Sequence, residues 1–200
     1  MHEQAGVWRF EVGVADDAVA GRVFEALGEL AALRVGRSSW RHVGTTVVSA
    51  SYRELRDRAR PASWFALEFR TPTTVRIAAG GARRSWPLPL PDVLFGRLWD
   101  RWGCFAPADA VLPAETAAVI EDRLAVSGHR IRTASHVTKF PDGKVVGFVG
   151  RVEFQVLEAR RCSEDALAGV AALARFAALT GMGDQTAKGM GWVVAAGAER

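Results

Sequence analysis

Val145-Val146-Gly147-Phe148-Val149-Gly150-Arg151-Val152-Glu153-Phe154-Gln155-Val156-Leu157 is an apolar run of strand length, rich in β-branched and aromatic residues. Arg130 to Phe140 precedes it as a second strand segment. Pro141-Asp142-Gly143-Lys144 lies between them with strong turn chemistry, so the pair predicts a hairpin. Outward from the hairpin the apolar period lengthens to that of helices. On the N-terminal side, Asp92 opens a helix whose Leu94, Leu98, Trp99 and Trp102 form a bulky apolar face, and Pro113 to Val126 reads as a short second helix. On the C-terminal side, Ser163-Glu164-Asp165 caps a helix reaching Leu179, with Leu167, Val170, Leu173, Ala174 and Ala177 apolar. Farther out lie a strand through Phe65, Leu67 and Phe69 and a last strand from Trp192 to Ala196. Thr71-Pro72-Thr73 bends the first of these before Val75-Arg76-Ile77, Ala79-Gly80-Gly81 turns the chain, and Pro87 to Pro91 is extended.

The order from Phe65 onward is therefore strand, helix, strand, strand, helix, strand, the ferredoxin-like plan, with extra turns and one added helix. The first sixty residues supply less. Val7 to Val14 alternates as a strand, and Asp16 and Asp17 cap a helix to about Leu33 with Val19, Val23, Leu27 and Leu30 on one face. A basic loop from Arg34 to Arg41 leads to a second strand around Val43 to Ser51, and Arg53 to Pro61 is a charged connector. The fold class expected is α+β, as tandem ferredoxin-like (RRM-like) modules. Residues 1–62 form an incomplete N-terminal copy, and residues 63–200 a full domain with a glycine-rich loop. The plan serves many unrelated functions, so a site must carry the functional argument.

That site begins with Gly181-Met182-Gly183-Asp184-Gln185-Thr186-Ala187-Lys188-Gly189-Met190-Gly191-Trp192, two Gly-Met-Gly groups around a polar loop bearing a lysine. Glycine reaches positive φ without steric penalty and lets a ligand backbone approach closely, so such pairs build phosphate-accepting loops. No Gly-Lys-Ser/Thr closes the segment as in a Walker loop. It also follows a helix and leads into a strand, the reverse of a dinucleotide fingerprint. An RNA-contacting loop is expected, with Gly181, Gly183, Gln185, Thr186, Lys188, Gly189 and Gly191 as its binding residues. The plainer alternative is a helix cap followed by a turn.

The 200 residues carry a net charge of +4, with 49% hydrophobic and 24% charged, ordinary for a globular chain long enough to bury a core. The arrangement of the charge says more. Between Arg34 and Arg60 stand seven arginines against Glu54 and Asp57, and a second basic stretch runs through Arg130, Arg132, Lys139 and Lys144. Clustered arginine suits phosphate by bidentate geometry and counterion release. Cys104 and Cys162 form no CxxC and no metal spacing with histidine, so neither disulfides nor zinc, and no cofactor, are expected. No signal peptide and no run near the roughly 20 apolar residues of a membrane span point to the cytoplasm, with no membrane partner.

The chain resembles the CRISPR repeat-processing endoribonucleases of the RAMP superfamily. Phe69-Arg70-Thr71-Pro72-Thr73, with Leu88-Pro89 and the Leu94 to Trp102 helix, is similar to the opening of that family's C-terminal half. Val146-Gly147-Phe148-Val149-Gly150 resembles its central strand, and the Gly181 to Gly191 segment its glycine-rich loop. The resemblance covers about Phe65 to Val194. It implies paired ferredoxin-like domains that cleave CRISPR precursor RNA within each repeat, without metal, to release guide RNAs. The first sixty residues depart from the pattern. The family usually carries a complete N-terminal domain with, in many members, a catalytic histidine near its first helix. Either this is a compact member or the chain begins inside a longer gene, in which case the usual histidine is absent.

Metal-free RNA cleavage uses the ribose 2′-hydroxyl as nucleophile, and it needs proton transfer and stabilisation of charge on the phosphorane. Histidine suits the first and arginine or lysine the second. Of His2, His42, His129 and His136, His42 is the catalytic candidate: it lies just past the first helix beside Arg37 and Arg41, which would hold the scissile phosphate. His136, with Arg132 and Lys139, is the rival. Trp40 and Trp86 lie among arginines and are candidates for base stacking, whereas Trp99 and Trp102 belong to a core face. The alternative function is a non-catalytic RAMP-type subunit that binds guide RNA in a CRISPR effector complex. A homodimeric structural protein is a third, and repeat RNA is the partner expected under the first.

Overall fold

The computed structural model describes residues 2–4, 7–35, 37–79, 82–137 and 144–197. Their contacts divide the chain into two compact units, Met1–Ala50 and Ser51–Arg200.

In the first unit β1 (His2–Gln4) pairs antiparallel with β2 (Val7–Arg9). The strand expected to run to Val14 ends at Arg9, because its partner offers only three residues for the ladder. Asp16 caps α1 (Asp17–Gly28), its carboxylate accepting from the Val19 N–H at 2.9 Å. The helix stops well short of Leu33. Residues Ala32–Val35 form β3, which pairs with β4 (Ser38–Arg41) where a basic loop was expected. The strand expected over residues 43–51 is not formed; residues 42–50 carry no regular structure. α1 buries none of its residues.

The second unit opens with a helix where a connector was expected. α2 (Tyr52–Asp57) begins on a capping box: the Ser51 hydroxyl accepts from the Glu54 N–H, and the Glu54 carboxylate accepts from the Ser51 N–H. Next come β5 (Trp64–Thr73), the hairpin β6 (Val75–Ala79) and β7 (Ala82–Trp86), and α3 (Pro91–Phe105) with proline in its first turn. α4 (Glu115–Asp122) is shorter than expected, because β8 (Leu124–Val137) starts early to match the length of β9 (Lys144–Val156). Of the turn expected between them, Pro141, Asp142 and Gly143 lie outside the described residues. α5 (Glu164–Thr180) starts on Ser163 and β10 (Val193–Ala196) closes the domain.

The four long-range strands form one antiparallel sheet in the order β10-β5-β9-β8. Each helical crossover skips one strand, so the two split βαβ units interleave as the ferredoxin-like plan requires. Alternation along β5 and β9 sends Phe65, Leu67, Phe69, Phe148, Val152 and Phe154 into the helical side. The Phe65, Phe95 and Phe154 rings meet at centroid distances of 5.3 to 5.6 Å. Leu94, Phe95, Leu98 and Trp102 of α3 are fully buried, and the Trp102 indole N–H donates to the Ala110 carbonyl at 3.0 Å. Trp99, expected in the same face, is half-buried.

Glu115 ties α4 to the start of α5: its carboxylate accepts from the Ser163 hydroxyl at 2.5 Å and from the Ser163 N–H at 3.2 Å. The Ser163 hydroxyl and then its backbone N–H hold the Glu115 carboxyl below its ordinary value of 4.5. A depressed folded-state value means that this bond stabilises fully above the unfolded value and is lost as pH falls through the folded one. Glu115→Gln is therefore expected to flatten the acid side of a plot of melting temperature against pH, below about pH 4.5.

Candidate nucleic-acid interface

The glycine-rich segment is held almost entirely by backbone. α5 ends as the Gly181 N–H donates to the Ala177 carbonyl at 2.8 Å, and Gly181 turns the chain at φ 74°. The loop neck is closed by Met182 N–H on the Gly191 carbonyl at 2.9 Å. Asp184 N–H then donates to the Thr74 carbonyl (2.9 Å), Gly191 N–H to the Pro72 carbonyl (3.2 Å) and Trp192 N–H to the Thr71 hydroxyl (2.8 Å). The expected loop thus lies on the 71–74 corner between β5 and β6, where Pro72 interrupts the strand and the β5–β9 register shifts. Met182 and Met190, the two methionines of the Gly-Met-Gly groups, are buried beneath it.

Two of the glycines are required by space as well as by dihedral. A Cβ on Gly183 (φ 90°) would stand 2.8 Å from the Thr74 carbonyl oxygen, and one on Gly191 would run into the Met182 carbonyl. Gly189, at φ 80°, faces open space. Between them Gln185 adopts φ 58°, and Thr186–Lys188 make one 3-10 turn with Lys188 exposed. The Gln185 side-chain amide is turned inward with neither polar atom hydrogen-bonded. Of the residues expected in the loop, the structure therefore assembles all seven: Gly181, Gly183, Gln185, Thr186, Lys188, Gly189 and Gly191.

Arg37, Arg41 and His42 belong to the first unit. Arg37 sits in the β3–β4 turn and Arg41 ends β4, both exposed. His42 follows at once, its backbone N–H donating to the Ala31 carbonyl at 3.0 Å, and its half-buried ring places Nε2 2.9 Å from the Thr45 hydroxyl. Trp40 and Trp86 are each partly exposed, at 37% and 41%.

A second cationic surface lies on the sheet face turned away from the helices. Glu68, Arg151 and Arg130 form one cross-strand row, and Arg132 stands one step along opposite Val149. Glu68, Arg70, Arg130, Arg132 and Val149 line a shallow depression. Arg151 is held by Glu153 (3.1 Å) and the Gly197 carbonyl (2.8 Å), whereas Arg70 and Arg132 are exposed. By alternation His136 shares this face of β8 with Arg130 and Arg132, and His129 lies on the other. Lys139 lies outside the described residues. The sequence reading missed Arg70 and Arg151; counting period two from Phe69 and Val152 would have placed both on this face. Among the described residues no group of three His, Cys, Asp or Glu could hold a metal ion, and no helix is long and apolar enough to cross a membrane.

A ferredoxin-like domain whose last strand is entered through a glycine loop folded onto its first strand defines the class. A family profile described as CRISPR-associated endoribonuclease Cas6 matches residues 67–193, well over half of the chain, and the chain belongs to that family. Its members process CRISPR precursor RNA, and this chain is such an endoribonuclease. A Thermus thermophilus Cas6 (TTHB231) in a product complex is 26% identical with a TM-score of 0.76, covering 90% of this chain and 72% of that one. A second Cas6 (TTHA0078) in a product complex gives 25% identity and a TM-score of 0.73 over 92% and 77%. The latter's complex with a substrate mimic gives 26% and 0.72 over 90% and 76%. Comparison with curated protein sequences finds no match.

The glycine geometry separates two substitutions. Gly189→Ala is expected to cost about 1–2 kcal/mol through its left-handed backbone alone. Gly191→Ala should cost more, because its methyl group must displace the Met182 carbonyl and open the loop neck; urea unfolding of both variants reads the difference.

Proposed function

We propose that this protein cuts CRISPR precursor RNA inside each repeat by attack of a ribose 2′-hydroxyl on the adjacent phosphate, with no metal. The observation that carries the reading is the match over residues 67–193, which contains the whole glycine loop docked on the 71–74 corner. The product and substrate-mimic complexes of the Thermus relatives support repeat RNA as the ligand.

In this reading His42 transfers the proton, and Arg37 or Arg41 neutralises charge on the phosphorane. Another structure of the TTHA0078 relative is of a mutant in which one histidine is replaced by alanine, which fits a histidine under study in that enzyme. Gly181, Gly183, Gln185, Thr186, Lys188, Gly189 and Gly191 grip the RNA backbone, with Lys188 directed at phosphate. The sheet-face arginines Arg70, Arg130 and Arg132 offer a second phosphate-binding stretch. Residues 63–200 act as the C-terminal ferredoxin-like domain, and residues 1–62, which carry His42, as a partial N-terminal module. CRISPR effector subunits and a second copy of the chain are the protein partners compatible with this role.

Purified protein mixed with repeat RNA in EDTA tests the reading. Cleavage to products with cyclic phosphate ends supports it; tight binding without cutting favours a non-catalytic RAMP-type subunit instead. His42→Ala should slow cleavage by about 10²–10⁴-fold with binding nearly unchanged. A fully active variant would move the role to His136. Replacing Arg41 by Ala should weaken binding and lower the slope of log K against log salt by about 0.7, the value for one phosphate contact on a single strand.

A further inference from the structure

The glycine loop carries one acidic residue, and that residue does not face solvent. Asp184 places Oδ2 2.7 Å from Arg76 Nε, with Arg97 NH1 3.9 Å from Oδ1, and its side chain is 24% exposed. Arg76 belongs to β6, the first arm of the β6–β7 hairpin, and Arg97 to α3. Arg97 also donates to the Arg76 carbonyl at 2.6 Å, so α3 grips the backbone of the same residue whose side chain holds the loop. Two residues before Arg76, the Thr74 carbonyl accepts the Asp184 N–H at 2.9 Å and the Thr74 hydroxyl donates to the Trp86 carbonyl at 3.1 Å. The loop, both arms of the hairpin and α3 therefore converge on Thr74 to Arg76.

We propose that Asp184 is a positioning residue for RNA binding: it fastens the glycine loop to the β6–β7 hairpin, so that both meet the RNA as one rigid surface. The inference rests on the proposed function for its RNA ligand. A carboxylate in an RNA-contacting loop is unfavourable for binding unless it is spent elsewhere, and here two guanidinium groups consume it. Left without Asp184, Arg76 and Arg97 repel each other across the space it fills, and Gly183 and Gln185 keep their left-handed backbone with one anchor fewer. Order in the loop and hairpin before RNA arrives reduces the entropy that binding must otherwise pay.

Asp184→Asn keeps the side-chain shape but removes the charge paired with Arg76 and Arg97, and Asp184→Ala removes both shape and charge. Amide hydrogen exchange on the RNA-free protein should speed up in residues 182–190 and in 75–79 for both variants, more for alanine, while α5 and β9 stay protected. With repeat RNA, KM should rise roughly tenfold for alanine and less for asparagine, with kcat within about twofold, since the residue acts through binding geometry. The slope of log K against log salt should stay constant, because no phosphate contact is removed. Unchanged exchange in both segments overturns the proposal, as does RNA affinity that is equal or higher in the variants with a steeper salt slope. The latter outcome would mean that Asp184 masks two phosphate-binding arginines. If alanine unfolds the protein, asparagine alone decides. Failure of the wild-type protein to bind repeat RNA counts against the proposed function only, since exchange reads the clamp without RNA.

Discussion

Everything specific to this domain depends on how the last strand is brought back to the first. β10 must land antiparallel on β5 with Val193 opposite Phe69, or the Phe69–Phe148 contact and the edge of the sheet are lost. That landing is set by three backbone N–H groups from residues 184, 191 and 192 bonding to residues 71–74. Pro72 makes this possible by leaving the β5 ladder interrupted: it has no N–H to give, and its carbonyl is free to accept from the loop. A strand defect and a glycine loop are thus one feature seen from two ends of the chain.

The helical side of the sheet shows a different economy. α5 and α4 approach closely at Gly169, where a Cβ would collide with the Thr116 side chain, so α3, α4 and α5 cover the sheet in a single layer. The Trp102 ring then meets Tyr52 and Phe176 edge-on at 4.9 and 5.3 Å, and Tyr52 meets Phe176 at a tilt at 5.5 Å, which joins the short α2 to the same core. Arg101 closes the far end, donating to the Thr180 and Gly181 carbonyls at 3.1 Å each, and burial holds its guanidinium below its ordinary value. The last turn of α5 is thereby satisfied at the point where the loop departs.

The second unit was legible because its elements are long and its periods clean: the Phe65 strand, the Leu94 helix, the 145–157 strand and the Ser163-capped helix all appear where their patterns place them. The first unit was not. Its apolar residues alternate over short stretches, but a strand exists only where a partner pairs with it, and β2 finds three residues while 43–51 finds none. Arg34 to Arg41 reads as a basic loop by composition, yet Ala32–Val35 and Ser38–Arg41 are held by hairpin pairing that composition does not reveal. The Ser51-x-x-Glu54 capping box is present in the letters, but a reading by charge alone makes the segment a connector. In the interface, the glycines announced a loop, whereas the role of Asp184 needed three elements in space: its partners are 108 and 87 positions away by the numbering of Arg76 and Arg97.

Because the loop keeps its shape through main-chain bonds and glycine dihedrals, its frame is indifferent to the side chains that project from its tip. Lys188, exposed at the tip, can change identity over generations without disturbing how β10 closes the sheet, while Gly183, Gly191 and Asp184 cannot. Such a division lets the surface drift with the RNA it meets as the scaffold stays fixed. It also marks the few positions at which a designer could retune recognition without rebuilding the domain.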